Sequence, residues 1–436
     1  MKKRFFAGFA AAAIAASMMA ALPASAADYT PLTPDGTADT YELVTFPTVD
    51  KYLVMEKDAS VPSGIYTFTI APGTAVAADN TANAEKMPIL AGPAGVKFTS
   101  TDSTAVVSTT TPTTATLTFS STDATVNEGT SSLSGKTIGF KTETTDDEEK
   151  VSLKTLTVDF SDVTFTEPGV YRYVITETGT IAGVTNDSDT TITLDVYVTD
   201  VNGALTLNSY VLHKDEAAPS KNNGSASGGT LSDKTTGFTN TYDTQNLEFG
   251  KEVTGNQGSK DKRFAVTVTT TNANAATVYQ LEGNWTKTIT NATSATSYTE
   301  TDMTTANNVT ELTGAQLNNG YTFYLCDGEY VKVKGLEVVS GTGAVTYTIS
   351  EEEEDYKKTA TIATAVAQYG NVAHTDAVTG TITADKDVYT GFVNDRTGSI
   401  PTGVILAIAG PAVVGLVVAG GIIFLNVKKK REEAEE

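Results

Sequence analysis

Cysteine, histidine and tryptophan are nearly missing from these 436 residues. Cys326 and Trp285 stand alone, and His213 and His374 are the two histidines. A single cysteine excludes an intramolecular disulfide. With so few imidazole and thiolate groups, no zinc spacing, Ser/His/Asp set or Cys/His pair can be assembled. The glycines form no phosphate loop. Neither a cofactor nor a metal is expected. Positive charge is scarce as well: 30 Lys and Arg face 52 Asp and Glu, a formal charge of −22. Such acidity argues against nucleic acid or anionic lipid as a partner and for solubility outside a cell. Helix-periodic runs are few.

What the chain does contain is Thr, Val, Ser and Tyr, with turn residues at short intervals. That composition reads as all-β sandwich material. The length between the two ends suits two sandwiches with insertions, since one takes ~100 residues. The Thr/Ser-rich stretch Thr99 to Ser132 reads as a strand pair with long polar loops. Ala217 to Ser232 reads as a flexible loop.

The ends carry sharper signals. Met1-Lys2-Lys3-Arg4, an apolar run from Phe5 to Leu22 and the small residues Ala24-Ser25-Ala26 describe a secretory signal peptide over 1–26. Loss of its three basic residues leaves an exported portion still more acidic. At the other end, 404–425 holds no charged residue and is long enough to span a bilayer, for which about 20 apolar residues suffice. The tail 426–436 opens with Lys428-Lys429-Lys430-Arg431, which the positive-inside rule puts in the cytoplasm. Just before the span, within 397–403, stands Ser399-Ile400-Pro401-Thr402-Gly403. Pro holds this segment extended and Gly admits close approach to the Thr carbonyl, a shape suited to a protease-like cleft. The order of motif, span and basic tail resembles a Gram-positive cell-wall sorting signal, in which a sortase cleaves between Thr and Gly. Because Pro401 directly precedes Thr402, it is similar to the x-Val/Ile-Pro-Thr-Gly variant of some pilin-assembling sortases rather than to Leu-Pro-x-Thr-Gly.

Three short elements recur in the same order in both halves. The first half has Val49-Asp50-Lys51-Tyr52-Leu53, Tyr173-Val174-Ile175-Thr176-Glu177 and Gly237-Phe238-Thr239-Asn240. The second has Phe249-Gly250-Lys251-Glu252-Val253, Tyr347-Thr348-Ile349-Ser350-Glu351 and Gly391-Phe392-Val393-Asn394. Side chains at i, i+2 and i+4 share one face of a strand. Lys51 therefore points with Val49 and Leu53, and Lys251 with Leu247, Phe249 and Val253. Glu177, Glu351, Asn240 and Asn394 likewise fall on apolar faces, where polar groups are costly without partners. Desolvation favours a neutral Lys and a protonated Glu. A neutral ε-amine is a nucleophile, and a protonated Glu can polarise the Asn carbonyl and pass a proton to departing ammonia. The predicted product is a Lys–Asn isopeptide bond, formed once and without an external enzyme. A plain buried Lys–Glu pair is the bland alternative.

At these residues the chain resembles the major, or backbone, pilins of Gram-positive sortase-assembled pili, with Ig-like domains of the collagen-adhesin B type. Its clearest stretches are Val158 to Phe165 running into Pro168-Gly169-Val170-Tyr171, and Asp327 to Val333. The resemblance implies two tandem Ig-like sandwiches, 27–243 and 244–396. It implies crosslinks Lys51–Asn240 and Lys251–Asn394, with Glu177 and Glu351 as their catalytic groups. It also implies an intermolecular lysine that attacks Thr402 of the next subunit; Lys234 fits best, with Lys214 and Lys221 as alternatives. The implied partners are a pilin-class sortase, identical subunits in a covalent polymer, cell-wall peptidoglycan, and the membrane before sorting. The expected location is the cell surface. Two rivals remain. One is a wall-anchored adhesin or minor pilin, to whose ligand face Trp285 could belong. The other is a secreted hydrolase using the acidic run Glu351 to Asp355, although alternate residues of such a run face opposite ways or lie in a turn.

Overall fold

The computed structural model describes residues 46–398 apart from 78–87, 101–104, 109–112, 141–148, 202, 215–233, 291–297, 353–354, 365–369, 373–376 and 385–386. The expected signal peptide, sorting motif (Ile400, Pro401, Thr402, Gly403), span and tail lie outside the described residues, as does the loop Ala217 to Ser232. No helix among the described residues is long and apolar enough to cross a membrane. The chain divides between Tyr242 and Asp243 into two compact units, with residues 58–60 going to the second.

Strands dominate both units, in keeping with the β-branched and aromatic residues that fill them. The first unit contains β1 (Thr48–Glu56), β2 (Gly64–Pro72), β3 (Ile89–Ala91), β4 (Lys97–Thr99), β5 (Val106–Ser108), β6 (Thr113–Phe119), β7 (Val126–Asn127), β8 (Glu149–Asp159), β9 (Gly169–Thr178), β10 (Val184–Thr185), β11 (Thr191–Val201), β12 (Ala204–His213) and β13 (Gly237–Tyr242). One sheet runs β10-β13-β1-β8-β4, with β7 also on β8. The other runs β12-β11-β9-β2-β6-β5, with β3 also on β9. Phe68 of β2 meets Phe238 of β13 at 5.7 Å between ring centroids, so the two sheets share a core.

The second unit contains β14 (Thr244–Thr254), β15 (Phe264–Thr271), β16 (Val278–Gly283), β17 (Glu311–Thr313), β18 (Tyr321–Leu325), β19 (Tyr330–Glu337), β20 (Thr346–Glu352), β21 (Lys357–Thr364), β22 (Gly370–Val372), β23 (Ala377–Thr381) and β24 (Val388–Asp395). Its sheets run β17-β16-β19-β14-β24-β21-β22 and β18-β15-β20-β23. Phe249, Val268, Phe323, Ile349 and Phe392 belong to one buried cluster drawn from both. Among the described residues of this unit two short α-helices interrupt the strands, α1 (Glu300–Asn307) and α2 (Gly314–Asn319). Each opens on a reciprocal capping box, Thr299 with Asp302 and Thr313 with Gln316, which satisfies backbone donors that a helix start leaves unpaired.

In each unit the first and last strands are neighbours and run parallel: β1 beside β13, β14 beside β24. Both closing strands carry Gly-Phe-x-Asn, and the glycine has a steric reason. A Cβ on Gly237 would overlap the carbonyl oxygen of Asp50, and one on Gly391 would come within 2.6 Å of the carbonyl oxygen of Gly250. The closing strand can therefore enter the sheet only where a side chain is missing.

One expectation needs correcting, and two rival readings lose their footing. The stretch Thr99 to Ser132 does not form a simple strand pair: it spans the end of β4, the β5–β6 hairpin and the short β7. Trp285 is no surface aromatic. It is 5% exposed, packs edge-on against Phe323 at 5.9 Å and donates its indole N–H to the Asn307 carbonyl. The acidic run ends β20, where Glu351 is buried and Glu352 and Asp355 are exposed.

Candidate functional site

Strand pairing brings the two predicted trios together. In the first unit Lys51 lies beside Phe238, and Leu53 beside Asn240. In the second, Lys251 lies beside Phe392 and Val253 beside Asn394. The lysine thus precedes its asparagine by the same two-residue offset in both units. Glu177 comes from β9 and Glu351 from β20, each in the sheet facing the lysine. All six side chains are buried, at 3% exposure or less.

In the first unit Lys51 Nζ lies 3.0 Å from Glu177 Oε1 and 2.8 Å from Oε2. Asn240 Nδ2 donates to Glu177 Oε1 at 2.7 Å and to Asn186 Oδ1 at 3.0 Å. Asn240 Oδ1 accepts from the backbone N–H of Asp187 at 2.9 Å. The lysine head stands over the Tyr66 ring, 4.5 Å from its centroid. Burial pulls the Lys51 ammonium down to about 8, although the Glu177 charge and hydrogen bond work to raise it.

The second unit repeats this arrangement. Lys251 Nζ lies 3.2 Å from Glu351 Oε2 and donates to the carbonyls of Glu252 and Phe392. Asn394 Nδ2 donates to Glu351 Oε1 at 2.7 Å. Phe264 takes the place of Tyr66, 4.4 Å below the lysine head. Burial raises the Glu351 carboxyl, against the lowering effect of Lys251 and of the Asn394 hydrogen bond. In both units the glutamate touches the amide nitrogen of the asparagine, the atom that would leave, rather than its oxygen.

Sequence reasoning missed four contributors. Asn186 and Asp187 sit in the segment after β10 and carry no strand period. Tyr66 and Phe264 look like ordinary strand aromatics. Their signal was positional: each lies two residues before the strand partner of its unit's glutamate, Phe68 for Glu177 and Val266 for Glu351.

Lys234 is exposed and follows the chain segment that lies outside the described residues. Its main chain is pinned by a bridge to His213 and by the Thr235 N–H on the Leu212 carbonyl. His213 is itself anchored on Asp195, which Arg172 grips with two hydrogen bonds of 2.7 Å. Burial opposes charge on Asp195, but Arg172 and His213 outweigh it and hold the carboxyl below its ordinary range. Lys234 borders an open groove of about 440 Å³ with Thr137, Asp187, Lys214 and Thr239. Lys214 is already engaged, 2.7 and 2.9 Å from the two carboxylate oxygens of Asp187. Lys221 lies outside the described residues. Cys326 is half-buried, and burial pushes its thiol up to about 11, away from thiolate reactivity.

The model of a Spy0128-like isopeptide containing domain matches residues 47–243, and a domain family of unknown function matches 245–396. A curated pilin of Streptococcus pyogenes serotype M1 is 29% identical over 320 residues, covering 71% of this chain and 82% of that protein. The crystal structure of the major pilin from Streptococcus pyogenes is similar at 23% identity and a TM-score of 0.43, over 81% of this chain and 98% of that one. The T-13 major pilin of the same organism is similar at 20% identity and a TM-score of 0.40, over 82% and 100%. Residues 47–243 match the Spy0128-like isopeptide containing domain, and over 320 residues the chain is similar to a streptococcal pilin.

Proposed function

We propose that this chain is the shaft subunit of a covalently polymerised pilus, built from two Ig-like sandwiches that each crosslink themselves. The observation that carries the proposal is the convergence, twice over, of a buried lysine from the opening strand, a buried asparagine from the closing strand and a glutamate from the facing sheet. One such trio could be an ordinary buried network; two with the same offset and the same aromatic floor point to shared chemistry.

The reaction needs no proton from solvent. A Lys–Glu ion pair and a neutral amine beside a carboxylic acid contain the same protons, and burial favours the neutral form. The neutral Nζ attacks the asparagine Cγ, and the electron pair of the carbonyl moves onto Oδ1. The glutamate takes a proton from Nζ and delivers one to Nδ2, which it already touches. The C–N bond to ammonia then breaks as the carbonyl re-forms. An amide and free ammonia replace an amine and a carboxamide, and the buried charge is gone. The glutamate is regenerated but its substrates are consumed, so each unit turns over once.

Export by the signal peptide, cleavage between Thr402 and Gly403 by a pilin-class sortase, and transfer of Thr402 to Lys234 of the next subunit complete the assembly. The last subunit would pass to peptidoglycan. A ladder of high-mass species on the surface of producing cells, resistant to boiling in SDS, tests this; a single monomer band would overturn it.

Blocking the first crosslink exposes the titration behind it. In Asn240→Ala, Lys51 stays an amine with its folded value near 8, against ~10.4 in the unfolded chain. Between these values the unfolded state holds more protons, so stability rises with pH through that window. The expected gain is about 2 kcal/mol from pH 7.5 to 9.5. Above that range unfolded tyrosines ionise while Tyr66, raised by burial, does not, and the trend reverses. In the wild-type chain Lys51 is an amide and contributes no slope. Denaturant unfolding of both proteins at the two pH values is the measurement; identical slopes would remove the free amine from the account.

A further inference from the structure

The two trios differ in one respect. In the first unit the asparagine oxygen is served: Asn240 Oδ1 accepts from the Asp187 N–H. In the second, Asn394 Oδ1 is fully buried and has no hydrogen-bond partner among the described residues. Buried carbonyl oxygens are seldom left so. During attack this is the atom on which negative charge develops, and a preorganised donor aimed there is often the largest single contribution to an acyl transfer.

A second buried lysine lies next to it. Lys358 of β21 stands directly opposite Asn394 in the antiparallel pair with β24, so the two side chains leave the same face of the sheet a few ångströms apart. It is 8% exposed. Its Nζ donates to the main-chain carbonyl of Glu351 at 3.0 Å, and its charge acts on the Glu351 carboxyl. The first unit has no lysine in this place: Asn240 is flanked instead by Lys51's strand and by the Asn186–Asp187 segment.

We propose that Lys358 is the missing donor, its Nζ hydrogen-bonding Asn394 Oδ1 as that oxygen gains charge during attack by Lys251. The role matches that of the Asp187 backbone N–H in the first unit, and it rests on the crosslinking chemistry proposed above. Lys358 gives up no proton overall. It holds the oxygen while the Lys251 Nζ–Cγ bond forms, and lets go when the carbonyl re-forms and ammonia departs with the proton carried by Glu351.

The test follows bond formation over time in chains of residues 27–402 made by cell-free synthesis. Protease digestion and mass spectrometry give the Lys251–Asn394 and Lys51–Asn240 linked peptides from the same molecules, the latter serving as an internal clock. Lys358→Met, which keeps the length and removes the donor, is expected to slow the Lys251–Asn394 bond on the order of 100-fold relative to that clock. Lys358→Arg, which keeps a donor, is expected to recover part of the rate. Equal rates in Lys358→Met and wild type would overturn the donor role and leave the crosslinking chemistry standing. A Lys358–Asn394 linked peptide in the wild-type digest would overturn it too, by making Lys358 the nucleophile. If Lys358→Met in an Asn394→Ala background melts far below Asn394→Ala alone, the methionine has damaged the fold; failure of Lys358→Arg to recover the rate then overturns the proposal. Absence of both linked peptides from the wild-type chain would overturn the crosslinking chemistry itself, and this donor with it.

Discussion

Residues 27–402, purified after expression, are expected to weigh about 34 Da less than their sequence, because each of two isopeptide bonds releases ammonia. Glu177→Ala should restore about 17 Da and abolish only the Lys51–Asn240 link, and Glu351→Ala the other. Stability should fall with each bond. Lys51–Asn240 closes a loop of about 190 residues, and by analogy with disulfide closure its loss costs about 5 kcal/mol through the unfolded chain. For a unit of this size that is a drop of about 10–20 °C in melting temperature. Melting alone cannot separate the two explanations of the trio, however. Removing the glutamate from a plain buried ion pair strands a lysine and costs about 3–5 kcal/mol, nearly the same. Mass separates them cleanly. A chain of unaltered mass would reduce both trios to buried polar networks, whatever the melting curves did.

The trios were legible because strand alternation exposes an anomaly. A Lys between Val49 and Leu53, or an Asn two residues from a Phe, is misplaced unless it has buried work to do. Alternation says nothing about what covers the other face of a strand, and there it misled. Asp50 should point away from the core, yet it is 1% exposed and receives Tyr52 Oη, Lys136 Nζ and Thr155 Oγ1. The covering segment brings Leu133, with Val126, Ile138 and Phe140, over Tyr52 and Val54. It is an irregular stretch whose sequence reads as polar loop. Asn186 and Asp187 were invisible for a related reason: their contact with Asn240 depends on where a loop returns in space. Lys358 follows an acidic run in the sequence, and the partner that holds it is a backbone carbonyl, which no sequence pattern marks. The capping boxes at Thr299 and Thr313 are readable, but the short helices they open, one rich in Thr and the other in Gly and Asn, have weak intrinsic propensity.

Polymerisation should hang on one amine. Lys234→Ala is expected to abolish the high-mass ladder on producing cells while leaving both internal crosslinks, and the mass deficit of the monomer, intact. Lys234→Arg should fail equally, since a guanidinium keeps the charge but offers no amine nucleophile at neutral pH. Lys214→Ala should leave the ladder in place. The difference lies in what each amine must give up. Lys234 has no ion pair among the described residues, and its main chain is held by the bridge to His213 and, one residue on, by the Thr235 N–H on the Leu212 carbonyl. An exposed amine on a fixed stem beside an open groove is suited to meet an acyl group delivered by another protein, since the backbone ordering is already in place before encounter. Lys214 would first have to leave Asp187, whose carboxylate also accepts from the Thr239 N–H and whose own N–H serves Asn240 Oδ1. Drawing Lys214 away would loosen the residue whose N–H holds Asn240 Oδ1. A ladder that survives Lys234→Ala and vanishes in Lys221→Ala would move the linkage into the segment before β13 and leave the groove without a role in assembly.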